Sequence, residues 1–260
     1  MSRIPNAFKD GRAFIGFVTG GDPSLEKTRE FVLAMADAGA DLVEIGVPFS
    51  DPIAEGPVIQ EANLRALAGG TTVQKLFTLV EDLRRRTQIP LVFLTYLNPL
   101  FRMGYETFFR RAAEAGLDGV IIPDLPFEEQ GEVRDIASAA GVDLISLIAP
   151  TSAERIRKIA AEAQGFVYLV SSLGVTGVRK EITTDLGAMA GEIRAAAGVP
   201  VAVGFGIHTP EQAADVARAA DGVIVGSAIV KIIAEHGSGA APFIAEYVGR
   251  MKAAVQKNEK

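Results

Sequence analysis

The hydrophobic and polar positions of this chain repeat a passage from an Ala-rich helix to a short apolar strand. The segments at 35–46, 112–123, 137–148 and 217–227 share this pattern. In each, a helical stretch ends in small residues, most often with a Gly suited to the left-handed position after a helix, and a run rich in Val, Ile and Leu follows. Such runs are typical of parallel strands that are buried on both faces under helices.

Eight runs of this kind occur, separated by helical patterns, and they predict an α/β fold. Eight β/α units in about 250 residues are the dimensions of a (β/α)8 TIM barrel, here a single domain over residues 1–260 with a short N-terminal helix. An open doubly wound sheet is the alternative, but no G-x-G-x-x-G follows the first strand and no composition break divides the chain. The strand runs start near Phe14, Leu42, Leu91, Gly119, Asp143, Phe166, Pro200 and Gly222. The helical patterns cover 25–38, 73–87, 105–115, 128–140, 153–163, 185–197 and 210–219.

Two of the connections between strands are longer than the others. They follow strand 2, between residues 42 and 91, and strand 6, between residues 166 and 200. In a barrel such insertions belong to the loops at the carboxyl ends of the strands, where active sites lie. We therefore expect enlarged loops after strands 2 and 6, with the functional site between them.

Charge and composition exclude several function classes. The chain has 26 Lys and Arg against 32 Asp and Glu, a net charge of −6, which argues against nucleic-acid binding. It has no cysteine, so a thiolate nucleophile, a disulfide framework and a Cys-based metal site are excluded. The two histidines, His208 and His236, do not have the spacing of metal ligands, so we expect no metal.

The length of the apolar runs bears on membranes and location. No run reaches the roughly 18 residues that a membrane span needs, and the first residues lack the pattern of a signal peptide. We therefore expect a cytoplasmic protein that does not bind membranes.

Two glutamates are the candidates for acid and base chemistry. Glu44 falls inside the apolar run of strand 2, so we expect it to point into the barrel mouth, where burial would raise its pKa towards neutrality. The alternative is a structural Glu paired with Lys or Arg on a neighbouring strand, although the other strand runs have no basic residue. Glu55 and Asp51 share the loop after strand 2, and alone each is an ordinary loop carboxylate. Two carboxylates in unlike surroundings can divide acid and base roles.

Glycine-bearing turns follow strands 6, 7 and 8, at 174–177, 204–206 and 226–227. Glycine lets the backbone approach an oxygen-rich ligand closely, and barrels commonly bind phosphate at the loops after strands 7 and 8. These turns contain no Lys or Arg, so a phosphate would be held by backbone N–H groups and the Ser227 hydroxyl. Each glycine alone is more often just a turn.

Apolar and aromatic residues at the ends of the strand runs could form the wall of a pocket for an aromatic substrate, although packing of the barrel core explains most of them equally well. They are Phe17, Leu94, Tyr96, Ile121, Tyr168 and Phe205. Arg179, after the first glycine turn, is either a lid charge or a solvated loop residue.

The motifs of this chain resemble those of the tryptophan synthase alpha chain family nearly from end to end. The specific ones are FVTGGDP at 17–23, LVEIGVPFSDPIAEGP at 42–57, LTYLNP at 94–99, IPDLP at 122–126, YLVSSLGVTG at 168–177, VGFGI at 203–207 and VGSAIVKII at 225–233. The resemblance implies a retro-aldol cleavage of indole-3-glycerol phosphate to indole and glyceraldehyde 3-phosphate, without cofactor. It also implies an α2β2 complex, whose beta chain carries pyridoxal phosphate and consumes the indole.

The resemblance also implies roles for individual residues. Glu44 would take the proton from the C3′ hydroxyl of the substrate, and Glu55 would stabilise positive charge at the indole N–H. The remaining roles are phosphate binding for Gly177, Gly206, Gly226 and Ser227, the indole pocket for Phe17, Leu94, Ile121, Tyr168 and Phe205, the lid for Thr176, and contact with the beta chain for Pro48, Asp51 and Asn98.

One residue departs from the family pattern. The family usually has Asp where this chain has Glu55, and the extra methylene shifts the reach of the carboxylate by about a bond length. Two alternatives stay open at this point. The chain could be another barrel isomerase that binds a phosphorylated substrate, or a partner chain with weak lyase activity that mainly activates a beta chain.

Overall fold

Eight parallel strands form a closed barrel, in the order in which they occur along the chain. The computed structural model describes residues 2–170, 186–204 and 206–256. Every predicted strand is present and begins within one residue of its predicted start, which confirms the TIM barrel. The strands are β1 (Ala13–Thr19), β2 (Leu42–Gly46), β3 (Leu91–Leu94), β4 (Gly119–Ile121), β5 (Asp143–Ile148), β6 (Val167–Val170), β7 (Val201–Gly204) and β8 (Gly222–Val225).

Helices surround the barrel, and all seven predicted helical segments contain one. The pattern does not predict four of those that the described residues form, namely the second, fourth, tenth and eleventh. The helices are α1 (Leu25–Asp37), α2 (Pro57–Ala68), α3 (Val73–Arg84), α4 (Leu97–Met103), α5 (Tyr105–Ala115), α6 (Gly131–Ala140), α7 (Ala153–Ala161), α8 (Leu186–Ala196), α9 (Pro210–Ala219), α10 (Ser227–His236) and α11 (Ala241–Gln256). Short 3-10 helices occur at Ile4–Phe8, Phe127–Glu129 and Gly237–Gly239.

Local sequence signals explain where these helices begin and end. The Ser24 hydroxyl accepts a hydrogen bond from the Lys27 N–H at 3.1 Å and so caps the start of α1. At the other end, Gly116 and Gly141 follow α5 and α6 with φ of 85° and 73°. This is the left-handed conformation that the repeated helix-to-strand pattern predicts, and glycine adopts it without steric cost.

Alternate strand residues point into the barrel, and an apolar cluster fills its interior. The short 3-10 helix at Ile4–Phe8 closes the amino-terminal end, because Ile4 and Ala7 belong to this cluster. The open end is therefore the one where the strands finish. The strand residues of the cluster are Ala13, Ile15, Leu42, Val92, Ile121, Ile145, Phe166, Ala202 and Ile224.

The connection after β2 is enlarged, as predicted, because it contains the whole of α2 in addition to α3. The connection after β6 covers 171–185, so the prediction of an enlarged loop there lies outside the described residues. None of the helices in the described part of the chain has the length and apolar content that crossing a bilayer requires.

Candidate active site

Glu44 lies inside the barrel near the end where the strands finish. It is two residues beyond Leu42, which belongs to the interior cluster, so alternation along the strand turns both side chains inward. Its register neighbours on β1 and β3 are Phe17 and Val92, both apolar. The side chain is 1% exposed, and its Oε1 atom has no hydrogen-bond partner among the described residues.

The surroundings of Glu44 decide its protonation. Burial raises the pKa of its carboxyl to about 8, and no other group in the described structure shifts it appreciably. The carboxylate forms no salt bridge with a Lys or Arg of the described residues, so nothing there supports the structural alternative. A buried carboxyl with a pKa near neutrality and an unpartnered oxygen can accept a proton from a ligand in the barrel mouth.

Glu55 is another buried carboxyl at this end of the barrel, in the loop between β2 and α2. It is 7% exposed, and its Oε2 accepts a hydrogen bond from Asn63 Nδ2 at 2.6 Å. Its backbone carbonyl accepts a second hydrogen bond from Gln60 Nε2 at 2.7 Å. Burial raises the pKa of Glu55 to about 7, and the Asn63 hydrogen bond opposes this rise. The two carboxyls thus lie in unlike surroundings, as predicted.

Tyr96 contacts the loop that carries Glu55. Its hydroxyl accepts a hydrogen bond from the Ala54 N–H at 3.1 Å, and its ring stacks on Phe49 with the centroids 5.1 Å apart. Burial raises the pKa of its phenol to about 12, with a smaller contribution from Glu55. Contact of Tyr96 with a substrate stays a prediction, whereas its support of this loop is a direct observation.

Four of the residues predicted to line the pocket lie at the inner wall of the barrel. Phe17 and Ile121 are buried, and Leu94 and Tyr168 pack against the interior cluster. Tyr168 is close enough to Glu44 for the carboxylate to raise the pKa of its phenol further, after burial has raised it. Among the described residues, the carboxyl of Glu44 and the phenol of Tyr168 thus lie on facing strands, β2 and β6, beside apolar side chains.

Two strand glycines make room for the aromatic side chains of this wall. A Cβ atom at Gly46 would lie 2.6 Å from the ring of Phe17, and one at Gly204 would lie 2.5 Å from the hydroxyl of Tyr168. Both distances are too short for real atoms. Sequence reasoning missed this role, although a Gly two residues beyond an inward-facing strand residue is a signal that could have found it.

The structure describes three of the residues predicted to bind phosphate, and these three lie after β7 and β8. Gly206 has φ of 85°, a conformation that other residues rarely adopt. Gly226 is the N-cap of α10, and Ser227 is its first residue. The first N–H groups of any helix have no acceptor within the helix, so they are free to bind an anion. The predicted residues Thr176, Gly177, Arg179 and Phe205 lie outside the described residues.

The residues predicted to contact a partner differ in exposure. Asp51 and Asn98 are exposed, whereas Pro48 is buried within the chain. Two large apolar side chains close to them in sequence are also exposed, Ile53 at 73% and Phe101 at 70%. Sequence reasoning missed both, because an apolar residue in a loop or short helix gives no sign of whether it is buried.

The acidic and histidine side chains of the described residues do not gather into a metal site. No group of three or more of them could hold a metal ion within 2–170, 186–204 and 206–256.

Comparison with known proteins identifies the family. Residues 6–257 match the model of the tryptophan synthase alpha chain family. The alpha chain of Lactiplantibacillus plantarum is 51% identical over 256 residues, which cover 98% of this chain and 97% of the relative. Two solved structures agree in fold. One is a Legionella pneumophila alpha chain with 35% identity, a TM-score of 0.89 and coverage of 100% and 99% of the two chains. The other belongs to the Pyrococcus furiosus tryptophan synthase α2β2 complex, with 36% identity, a TM-score of 0.83 and coverage of 94% and 99%. The chain therefore belongs to the tryptophan synthase alpha chain family.

Proposed function

We propose that Glu44 and Glu55 carry out the retro-aldol cleavage of indole-3-glycerol phosphate to indole and glyceraldehyde 3-phosphate, the alpha reaction of this family. One observation carries the assignment of the residues. Glu44 is buried in the mouth of the barrel with an oxygen that has no partner among the described residues, and burial raises its pKa to about 8. A fold does not need such a group, but a reaction that removes a proton from a hydroxyl does.

In the proposed reaction Glu44 acts as the base. The indole C3 atom is protonated, and the bond between C3 and C3′ then breaks with its electron pair returning to the ring. Over a full turnover the proton gained at C3 balances the proton lost from the C3′ hydroxyl, so none is consumed. The proton of the C3′ hydroxyl passes to Glu44 as the aldehyde forms. The apolar wall formed by Phe17, Leu94 and Ile121 excludes water from this site, which strengthens the electrostatic interactions within it.

Glu55 has the complementary role of stabilising charge. Protonation at C3 places positive charge on the indole ring nitrogen, and a carboxylate that accepts a hydrogen bond from the N–H opposes that charge. With a pKa of about 7, Glu55 is about half ionised at pH 7 and largely ionised at pH 8. We assign the phosphate of the substrate to Gly206, Gly226 and Ser227, through backbone N–H groups and the Ser227 hydroxyl, together with Gly177.

The partner that we propose is a tryptophan synthase beta chain. The Pyrococcus furiosus relative is part of an α2β2 complex, and the exposed side chains Asp51, Ile53, Asn98 and Phe101 form a surface of mixed polar and apolar character on two neighbouring segments. Contiguous exposed apolar patches are typical of interaction sites, and we assign Ile53 and Phe101 to such a patch. A cytoplasmic location follows from the biosynthetic family and stays a prediction.

The test of this function is the release of indole from indole-3-glycerol phosphate, first by the isolated chain and then with a beta chain added. We expect slow release by the chain alone and faster release in the complex. Release in neither sample would contradict the lyase function. Release of indole only by the complex would favour the alternative of a partner chain that mainly activates the beta chain.

Substitutions at Glu55 test the second carboxyl. We expect Glu55→Ala to lower kcat/KM by about 100-fold, because a general acid–base or charge-stabilising group contributes on that order. Glu55→Asp keeps a carboxylate one methylene shorter, so we expect it to retain activity within about tenfold of the unaltered chain. Steady-state indole release measures both. If the alanine variant is as active as the unaltered chain, Glu55 has no role in the reaction.

A further inference from the structure

The helix α2 holds Glu55 through polar side chains, and one of them has no assigned role in the reaction. We propose that Asn63 is a positioning residue: it binds one oxygen of the Glu55 carboxylate and so turns the other oxygen towards the substrate. This inference rests on the proposed role of Glu55.

The contact itself is short and enclosed. Asn63 Nδ2 lies 2.6 Å from Glu55 Oε2, and the two side chains are 4% and 7% exposed. A hydrogen bond from an amide to a carboxylate in a region of low dielectric is both stronger and more directional than one in water. It occupies one carboxylate oxygen and leaves the other available.

Asn63 is a polar residue on the apolar face of α2, and its hydrogen bond to Glu55 accounts for this position. Its neighbours on the buried face of α2 are Ile59, Ala62 and Ala66, at the spacing of a helix stripe that packs into a core. Ile59 and Ala62 belong to one apolar cluster with Phe17, which lies at the barrel mouth. A buried amide in an apolar stripe costs free energy unless it is hydrogen-bonded, so packing alone would favour Leu at this position.

Two further contacts fix α2 relative to the barrel. The Arg65 guanidinium donates two hydrogen bonds of 2.8 Å to the Asp22 carboxylate, which is 1% exposed in the loop after β1. Gln60 donates to the backbone carbonyl of Glu55. The helix is therefore anchored to the loops after β1 and β2, and Asn63 projects from a fixed support.

The electrostatics agree with this geometry. The Asn63 hydrogen bond lowers the pKa of Glu55 and so opposes the effect of burial. Among the described residues, the titratable group that interacts with Glu55 from another element is Tyr96, whose pKa of about 12 keeps it neutral over the working range of pH. Loss of the Asn63 donor would therefore raise the pKa of Glu55 and leave more of it protonated at pH 7.

The test uses Asn63→Leu, which removes the amide donor, and Asn63→Asp, which replaces the amide with a carboxyl of nearly the same volume. Gln60→Leu is the matched control, because Gln60 binds the backbone of Glu55 and not its carboxylate. The first measurement is the ratio of kcat/KM between the unaltered chain and each variant from pH 6 to pH 9. Titration of Glu44 and of the substrate phosphate is common to all chains and cancels in this ratio.

We expect the ratio for Asn63→Leu to be about tenfold at pH 6 and to fall at least fivefold by pH 9, because a shift of about one pKa unit is a tenfold change in the ionised fraction. Asn63→Asp should show a larger shift, since a second carboxylate faces Glu55. The ratio for Gln60→Leu should not change with pH. If the ratio for both Asn63 variants is also independent of pH, Asn63 only supports the fold and the proposal is wrong.

A second measurement does not depend on the reaction. Carboxyl NMR of chains labelled with 13C at glutamate gives the pKa of Glu55 directly, with Glu55→Gln to assign its signal. Relative to the unaltered chain and Gln60→Leu, we expect Asn63→Leu to raise this pKa by about one unit and Asn63→Asp to raise it further. An unchanged pKa would overturn the proposal even if the chain cleaves the substrate. A raised pKa in a chain that releases no indole would instead contradict the proposed function and leave the Asn63 contact confirmed.

Discussion

At the scale of single residues, Glu44 shows how a reactive group costs stability. Its carboxyl is buried among apolar side chains and receives no hydrogen bond at Oε1 from the described residues. The folded chain therefore favours the protonated form, which raises the pKa to about 8 from an ordinary value of 4.5. The same isolation that suits Glu44 to accept a proton makes its charged form unfavourable in the native state.

This cost predicts how stability depends on pH. Because the pKa of Glu44 is higher in the folded than in the unfolded chain, the native state binds more protons between about pH 4.5 and pH 8, and its stability falls as pH rises through that window. Glu44→Gln removes the titration. We expect it to be more stable than the unaltered chain by a few kcal/mol at pH 8.5 and by little at pH 5.

Urea unfolding of both chains at the two pH values measures this difference. A free energy of unfolding that differs by the same amount at pH 5 and pH 8.5 would show that the pKa of Glu44 is not raised by folding.

At the scale of elements, a glycine in one strand makes room for a side chain of the site from the next strand. Gly204 ends β7, and the hydroxyl of Tyr168 from β6 occupies the space where a Cβ of residue 204 would lie. The position of the phenol at the pocket wall therefore depends on the neighbouring strand.

Gly204→Ala tests this dependence. The new methyl group would displace Tyr168, so we expect cleavage activity to fall at least tenfold, as happens when groups of a site move by about 1 Å. Gly191→Ala in α8 is the control, because a Cβ there meets no atom within 4 Å. It should keep full activity and gain up to about 1 kcal/mol in stability from helix propensity. Equal activity of the two variants would contradict the account of Tyr168.

The elements also show what the sequence can predict. Each strand could be predicted to within a residue of its start, because a parallel barrel strand is a continuous apolar run. The helices α2 and α4 could not, because Pro57 and Pro99 indicate a loop when they are read along the chain. In the structure both prolines lie in the first turn of a helix, where the missing N–H is not needed.

A site residue could be predicted from the sequence where its type is unusual for the element that carries it. It could not be predicted where its role depends on a residue that is close only in space. Glu44 is conspicuous as a charge within an apolar strand. Asn63 and Gly204 are ordinary in their own segments, and their roles emerge only from the contacts with Glu55 and Tyr168.

At the scale of the whole molecule, one end of the barrel is closed and the other carries the candidate site. The 3-10 helix at Ile4–Phe8 closes the amino-terminal end, while the buried carboxyls of Glu44 and Glu55 lie at the other end. The exposed apolar side chains Ile53 and Phe101 lie in the connections after β2 and β3, at the same end as the site. A partner bound there would cover the segments that carry Glu55 and Tyr96.

We therefore predict that Phe101→Asp weakens binding of a beta chain at least tenfold, because a buried aromatic anchor often contributes more than 1 kcal/mol to an interface. Phe243→Asp is the control, since Phe243 is an exposed aromatic residue, 45% accessible, on α11 instead. Titration of a labelled beta chain with each variant measures the Kd. An unchanged Kd for Phe101→Asp would place the interface elsewhere.

The most direct test of the central claim is a comparison of substrate binding and cleavage in Glu44→Gln. The chain has no tryptophan, so the fluorescence of the indole ring of the substrate reports binding without interference from protein tryptophan. We predict that the dissociation constant of indole-3-glycerol phosphate stays within about threefold of the unaltered chain, because the amide keeps the shape of the side chain. Indole release should fall by at least about 100-fold, since the amide cannot accept the proton. Tight binding with more than about a tenth of the normal turnover would show that Glu44 is not the base.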